Sequence, residues 1–283
     1  MKKAIVEKIE NLKARDPRFL EKPMPDDIKS EIPVVTMEDC KVWGLHFTTE
    51  HKAKMSGMVS FSTSCKCGIC PQRINSIKEF YEKETGKSAN GLTKWEVQKF
   101  VRKLLKSDPM RTDISICWFC FSDAQQTYMP SLVGPLTKNF TIWNSFDIHP
   151  DWLPIINARF FRYEAFGDFG SIKAVRNAYT LARKNPETSF TAWTKNYQFF
   201  VSAEKYGDGK PKNFTLIRSS RYINRVDKTN TGCDEIFDHV FTVYTPEYAQ
   251  AHGIEINCGA RACLACLKCY TENHVFYINE HLK

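Results

Sequence analysis

The sequence predicts an α/β protein built around a parallel sheet, and three observations carry that expectation. From about residue 155 onward, strand-like apolar runs alternate with segments of helical periodicity. The alternation reads as serial βα units, whose crossovers place helices outside a parallel sheet, either open or closed into a complete or partial (βα) barrel. The chain has 283 residues, enough for one such domain, and its 42% hydrophobic and 13% aromatic content belongs to folded proteins.

Each element has its own signal. ARFFRYEAF reads as a strand and GDFGS as the turn that ends it. SIKAVRNAYTLARKN follows as a helix, with Ile172, Val175, Ala178, Tyr179 and Ala182 at helical spacing. SFTAWTK completes a βαβ unit. NFTLIRSSRYI, HVFTVYT and HVFYINE read as further strands, with a short helix in TPEYAQAHG between the last two. Residues 1–49 read as an outlying extension, a polar helix and then the Pro-rich linker EKPMPDDIKSEIP. Residues 50–257 make the βα domain, and residues 258–283 form a Cys-rich tail that closes it.

Between the extension and the strands, TKWEVQKFVRKLLKS places Trp95, Val97, Phe100, Val101, Leu104 and Leu105 on a helical stripe with basic residues between them. Its plain reading is an amphipathic helix with a solvated face; its functional reading is a nucleic-acid contact. The net charge of +8 permits that contact without requiring it. No Gly-rich phosphate loop is present. The N-terminus MKKAIVEKIENLKARDPRF has no apolar run after its lysines, and no stretch approaches the roughly 18 apolar residues of a membrane span. A cytoplasmic protein without membrane contact is expected.

Eleven cysteines carry the chemistry. In a reducing compartment, closely spaced thiols read as metal ligands or redox groups rather than disulfides. Three clusters stand out: Cys65, Cys67 and Cys70 in SCKCGIC; Cys117 and Cys120 in ICWFC; and Cys258, Cys263, Cys266 and Cys269, spaced CxxxxCxxCxxC, in the tail. The tail spacing suits an iron-sulfur cluster of the 2Fe-2S or 4Fe-4S type, and a tetrahedral zinc as the alternative. Small and apolar residues between its thiols suit the dry shell of a cluster. Cys40 and Cys233 stand alone and are expected to be small buried apolar residues.

A parallel sheet binds ligands at the carboxyl ends of its strands. That rule singles out Glu164, Gly167 and Asp168, then Thr194 and Lys195, then Ser219, Ser220 and Arg221, then Tyr244 and Thr245.

Several segments are, in order, similar to those of the gene-product-88 family, encoded mainly in phages and mobile elements. SICWFCFSDAQQTYMPSLVGPLTKNFTIWNS resembles the family's ICxxCYAxxGxYxxPxV stretch, and FFRYEAFGDFGSIKAV its strand and Gly-Asp-Phe turn. ARKNPETSFTAWTKN, NFTLIRSS and the tail NCGARACLACLKCYTENHVFYINEH resemble later elements of the family, so the resemblance runs over residues 50 to 283. Two departures stand out: Tyr163 or Glu164 replaces the family's strand histidine, and Phe121 replaces the tyrosine after the second cysteine pair.

The family is compared with the radical S-adenosylmethionine enzymes. That resemblance implies a radical-SAM-like partial or full barrel and a 4Fe-4S cluster held by thiolates from the first two cysteine groups. It further implies S-adenosylmethionine held at Glu164, Gly167, Asp168 and Ser219, and a host-cytosol location if phage-encoded. Asp168, Lys195 and Arg221 are the candidate catalytic residues, with Lys195, Arg218 and Arg221 meeting an anionic substrate. The alternatives are a zinc- or cluster-stabilised nucleic-acid-binding protein, in which Trp118, Phe119, Trp143 and Trp193 could stack bases, and a structural phage protein in which metal replaces missing core.

Overall fold

The computed structural model describes residues 1–51, 53–227, 234–270 and 277–282. Among them, one sheet runs in chain order through β1 (Phe47–Thr48), β2 (Val59–Phe61), β3 (Phe160–Tyr163), β4 (Ser189–Thr194), β5 (Phe214–Ser219), β6 (His239–Tyr244) and β7 (Tyr277–His281). β1 pairs antiparallel with β2, and every later neighbour is parallel. The helices are α1 (Lys3–Arg15), α2 (Asp26–Lys29), α3 (Cys70–Asn75), α4 (Ile77–Thr85), α5 (Lys94–Ser107), α6 (Phe121–Tyr128), α7 (Val133–Ser145), α8 (Ile172–Lys184), α9 (Tyr197–Lys205), α10 (Pro246–Ala251) and α11 (Cys263–Cys266).

The side chains of each strand alternate between two environments, as the strand period of two requires. One face belongs to the main core. Phe161 of β3 lies opposite Phe190 of β4, which lies opposite Phe214 of β5, and the Phe161 and Phe190 rings are 5.0 Å apart. Against this row pack Trp143 of α7, Val175, Ala178, Tyr179 and Ala182 of α8, and Phe200 of α9, all buried. Ser171 caps α8 by accepting the Ala174 N–H, and buried Asn177 donates to the carbonyls of Trp143 and Phe146, tying α8 to the end of α7. The opposite face carries Arg162, Trp193, Ser219, Phe241, Val243 and Glu280, which line an open cleft.

Residues 1–49 do not lie outside this core. Ile5 and Ile9 of α1, with Phe19, Leu20, Met24, Ile28 and Trp43, belong to the same buried cluster as the sheet. Trp43 meets Trp152 edge-on at 5.4 Å. α1 looks polar in sequence because only a narrow stripe, two isoleucines one turn apart, faces inward.

A second core holds the middle of the chain. Thr93 and Glu96 form a reciprocal capping box at the start of α5, and Val97, Val101 and Leu105 pack with Ile77, Ile114, Trp118 and Ile223. The basic face of α5 is partly engaged: Lys94 pairs with Asp123 of α6, and Arg102 lies over the Phe119 ring. The expected strands are present with shorter ends, and β7 is described from Tyr277 onward. β1 and β2 carry only two and three residues and have no readable alternation. Cys40 is fully buried, as expected of a lone cysteine; Cys233 lies outside the described residues. Among the described residues, no helix is long and apolar enough to cross a membrane.

Candidate functional site

The cleft opens at the carboxyl ends of the parallel strands and has a volume of about 540 Å³. Three connections build its thiol wall. The loop after β2 brings Cys65, and α3 begins at Cys70. Ser115 then accepts the Cys117 N–H at 3.3 Å, starting a single 3-10 turn, Ile116–Phe119. That turn is fastened to the chain after β5 by Ile116 N–H to the Arg221 carbonyl at 2.9 Å. Cys120 ends the turn and begins α6. Cys65, Cys70, Cys117 and Cys120 all line the cleft.

The electrostatics of the four thiols differ. Cys120 is pushed down to about 6, first by the Cys65 hydrogen bond, with help from the N–H groups of Asp123 and Ser122 at the start of α6 and from Lys195. The Cys65 thiol is correspondingly raised, through the same bond and by burial, and it also accepts from Gln126 Nε2 at 3.1 Å. Burial pushes the Cys70 thiol up, with Asp168 and Cys117 adding to it. Cys67 does not join this group: its Sγ lies 3.9 Å from Thr137 Oγ1, and it does not line the cleft.

The turn after β3 faces the thiols. Glu164 has a left-handed backbone, φ +54°, an uncommon state for a residue with a side chain and one that clusters at functional sites. Its buried carboxyl accepts from Thr63 N–H at 2.9 Å and from Thr63 Oγ1. Burial pushes that carboxyl up to about 8 against these bonds, so it is largely protonated at neutral pH. At Gly167 a Cβ would sit 2.6 Å from the Thr63 carbonyl oxygen, so only glycine lets the two loops meet.

Asp168 is buried and well supplied with partners. It accepts from Thr194 Oγ1 at 2.6 Å and Lys195 N–H at 3.0 Å, and pairs with Arg73 at 3.6 Å. Burial raises its carboxyl despite these contacts. Ser219 and Lys195 line the cleft as well. Arg221 does not: it pairs with Asp227 at 2.8 Å and lies over the Tyr197 ring. Arg218 is buried over Phe237, away from the cleft lining.

The tail thiols form a separate neighbourhood. Cys258 is pinned to β7 by its N–H to the Asn279 carbonyl at 3.0 Å, and Lys54 Nζ lies 3.6 Å from its Sγ. Cys258 and Cys269 pack on Ile217, Phe241 and Ile278. Cys269 is pushed up to about 12 by burial, opposed by Arg162 and reinforced by Cys258, Cys263 and Cys266. Tyr270 packs on Phe160, and Leu264 on Gly57, near the starts of β3 and β2. Among the described residues, no three His, Cys, Asp or Glu side chains are drawn around one point as a single bound ion requires.

Sequence reasoning missed Arg73, Arg162 and Glu280 in the cleft, and had Trp193 only as a candidate base-stacking ring. The alternation Phe161, Arg162, Tyr163, Glu164 held a signal for Arg162, because a strand whose odd residues are aromatic turns its even ones the other way. A second hollow of about 360 Å³, walled by Asp147, Arg176 and Asp208, holds solvated ion pairs and no thiol.

Sheet and cleft together define a mixed α/β protein with thiols gathered at the carboxyl ends of a mostly parallel sheet. The chain belongs to the gene product 88 family, whose model, described as "Gene product 88", matches residues 109–279, more than half of the sequence. The match takes in Cys117, Cys120, the β3 turn and the tail thiols, and begins after Cys65, Cys67 and Cys70, a shorter span than residues 50 to 283. No curated protein and no solved structure matches the chain.

Proposed function

We propose that the protein is an iron-sulfur protein that binds a small molecule, working as a radical-SAM-like enzyme on a partial (βα) barrel. One observation carries this reading: Cys65, Cys70, Cys117 and Cys120 line the same cleft as Glu164, Gly167, Asp168 and Lys195. The strand order supports the barrel. Right-handed crossovers that always step in one direction put the connecting helices on one face and leave the other to line a cavity.

The donor set fits the group in kind. It is all thiol, with Cys65 buried and Cys70, Cys117 and Cys120 half-buried, and the Cys120 thiol is lowered by its Cys65 hydrogen bond. A single zinc would hold its sulfurs at about 2.3 Å from one point, whereas a cluster of several irons spreads its ligating thiolates. An all-thiolate donor set suits either centre, with 4Fe-4S the expected form and zinc the alternative. Cys258, Cys263, Cys266 and Cys269 are proposed as a second site of the same kind. A bound cluster supplies one-electron chemistry. The chain's own residues do the rest: neutral Glu164 offers a proton donor, Gly167 lets the β3 turn pack on the Thr63 backbone, and Asp168 fixes Lys195 at the cleft wall. Glu164, Gly167, Asp168 and Ser219 would hold S-adenosylmethionine.

The nucleic-acid reading draws less support. Trp193 has Arg162 on one side at 4.1 Å and the Phe241 ring stacked at 4.9 Å. Trp143 is buried in the core, Trp118 packs on Phe80, and Phe119 carries Arg102. Trp118 and Trp143 are buried, and Trp193 and Phe119 each already carry an arginine on the ring, which leaves little of the exposed stacking surface that base binding uses.

Anaerobic purification tests the proposal. A brown protein absorbing near ~400 nm with bound iron is expected, and a Cys117→Ala/Cys120→Ala variant should lose the cleft's share of that iron. Cys67→Ser should retain it. A colourless wild type with stoichiometric zinc, or a double variant with undiminished iron, would overturn the assignment.

A further inference from the structure

We propose that Arg162 is an anion anchor: a small molecule occupying the cleft carries a carboxylate or phosphate that pairs with this guanidinium. The inference rests on the cleft being a ligand site and adds the chemistry of its ligand. Its first support is position. Arg162 is the third residue of β3, on the sheet face that lines the cleft, so the backbone of a central strand fixes where its side chain begins.

The second support is rigidity. The guanidinium lies 4.1 Å from the Trp193 ring centroid, and Trp193 is held from its other side by Phe241, stacked at 4.9 Å. An arginine on an aromatic shelf loses little further freedom when it binds, and its planar fork matches carboxylate and phosphate oxygens.

The third support is an unmet donor. Arg162 Nε is buried with no hydrogen-bond partner, and the Nη1 contact is to the thioether of Met55 at 3.6 Å, a weak acceptor. Glu280 lines the same cleft and pairs with Lys54 at 3.5 Å. A buried cationic donor without an acceptor is costly, and an arriving anion relieves that cost.

The balance of charge agrees. Arg73, Arg102, Arg162 and Lys195 line the cleft against Glu164, Asp168, Glu280 and the lowered Cys120 thiol, whose charge Lys195 favours. Arg73 is taken by Asp168, and burial holds the Glu164 carboxyl protonated at neutral pH. The cleft's volume of about 540 Å³ suits a small molecule rather than a polymer.

Calorimetric titration of the full chain with inorganic pyrophosphate, and separately with malonate, at constant ionic strength tests the anchor. Saturable binding of at least one probe is expected, about tenfold or more weaker in Arg162→Gln and partly retained in Arg162→Lys. Whichever probe binds tells phosphate from carboxylate. Absence of saturable binding by both, or equal affinity in wild type and an Arg162→Gln variant with unchanged melting temperature, would overturn the proposal. So would an Arg162→Gln variant that keeps probe affinity but sheds metal, which would assign the guanidinium to Cys269 instead. Iron content and visible spectrum, measured on the same samples, report separately on the iron-sulfur reading.

Discussion

Glu164 combines an uncommon backbone state with a desolvated carboxyl, and its pH behaviour follows from the second property. Its carboxyl titrates at about 8 when folded, against an ordinary value of 4.5, because burial disfavours the charge more than the Thr63 bonds favour it. For an acid raised on folding, the folded state holds more protons than the unfolded one between those two values. Stability contributed by the neutral carboxyl is therefore complete below pH 4.5 and falls as pH rises towards about 8. Urea denaturation of metal-free wild type at pH 5 and pH 8 should show a loss on the order of a few kcal/mol that is absent from Glu164→Gln. Equal pH dependence in the two proteins would place the titration elsewhere. Cys120 moves the opposite way for a local reason, the neighbouring Cys65 thiol and the first N–H groups of α6, neither of which is visible in the CWFC spacing.

Short connections between elements, more than the elements themselves, bring the cleft together. The β3 turn touches the loop after β2 at Gly167, where a methyl group would meet the Thr63 backbone, which cannot rotate away as a flexible side chain could. Gly167→Ala should lower stability by roughly 1–3 kcal/mol and, on the proposed iron-sulfur reading, weaken iron retention with it, because the displaced loop leads directly to Cys65. Thermal melting together with iron analysis checks this; an unchanged melting temperature would mean that the loops have room to part.

The same contrast explains what was legible in the sequence. α8 was readable because Val175, Ala178, Tyr179 and Ala182 repeat over a 13-residue helix, and β3 to β6 because each ends in a polar turn. β2 was not, since three residues offer no period, although the cysteine loop hangs from it. The assembly of Cys65 and Cys70 with Cys117 and Cys120, and the exclusion of Cys67, depended on a 3-10 turn fastened to the Arg221 carbonyl, a contact between residues far apart in the chain.

At the scale of the whole molecule, the N-terminal segment is part of the sheet's support. α7 and α8 press on the aromatic row of β3, β4 and β5 from one side, and the Trp43–Trp152 contact links that core to the first residues of the chain. Asp151 adds polar ties, accepting the Met24 N–H at 3.2 Å and pairing with Lys29 at 3.1 Å, and Trp152 Nε1 donates to the Lys22 carbonyl at 2.8 Å. Removing residues 1–32 would uncover the faces now covered by Ile5, Ile9, Phe19, Leu20, Met24 and Ile28. Burying one such side chain is worth about 1.5–3 kcal/mol, and a domain has only about 5–15 kcal/mol in hand. The truncated protein should therefore be largely unfolded or aggregated when expressed. A single Ile9→Ala substitution, at a site with no exposed surface, should cost about 2–5 kcal/mol while leaving the cleft thiols intact. Circular dichroism melts of both proteins decide the matter: a truncated chain that melts cooperatively at the wild-type temperature would show that the segment rests on a core complete without it.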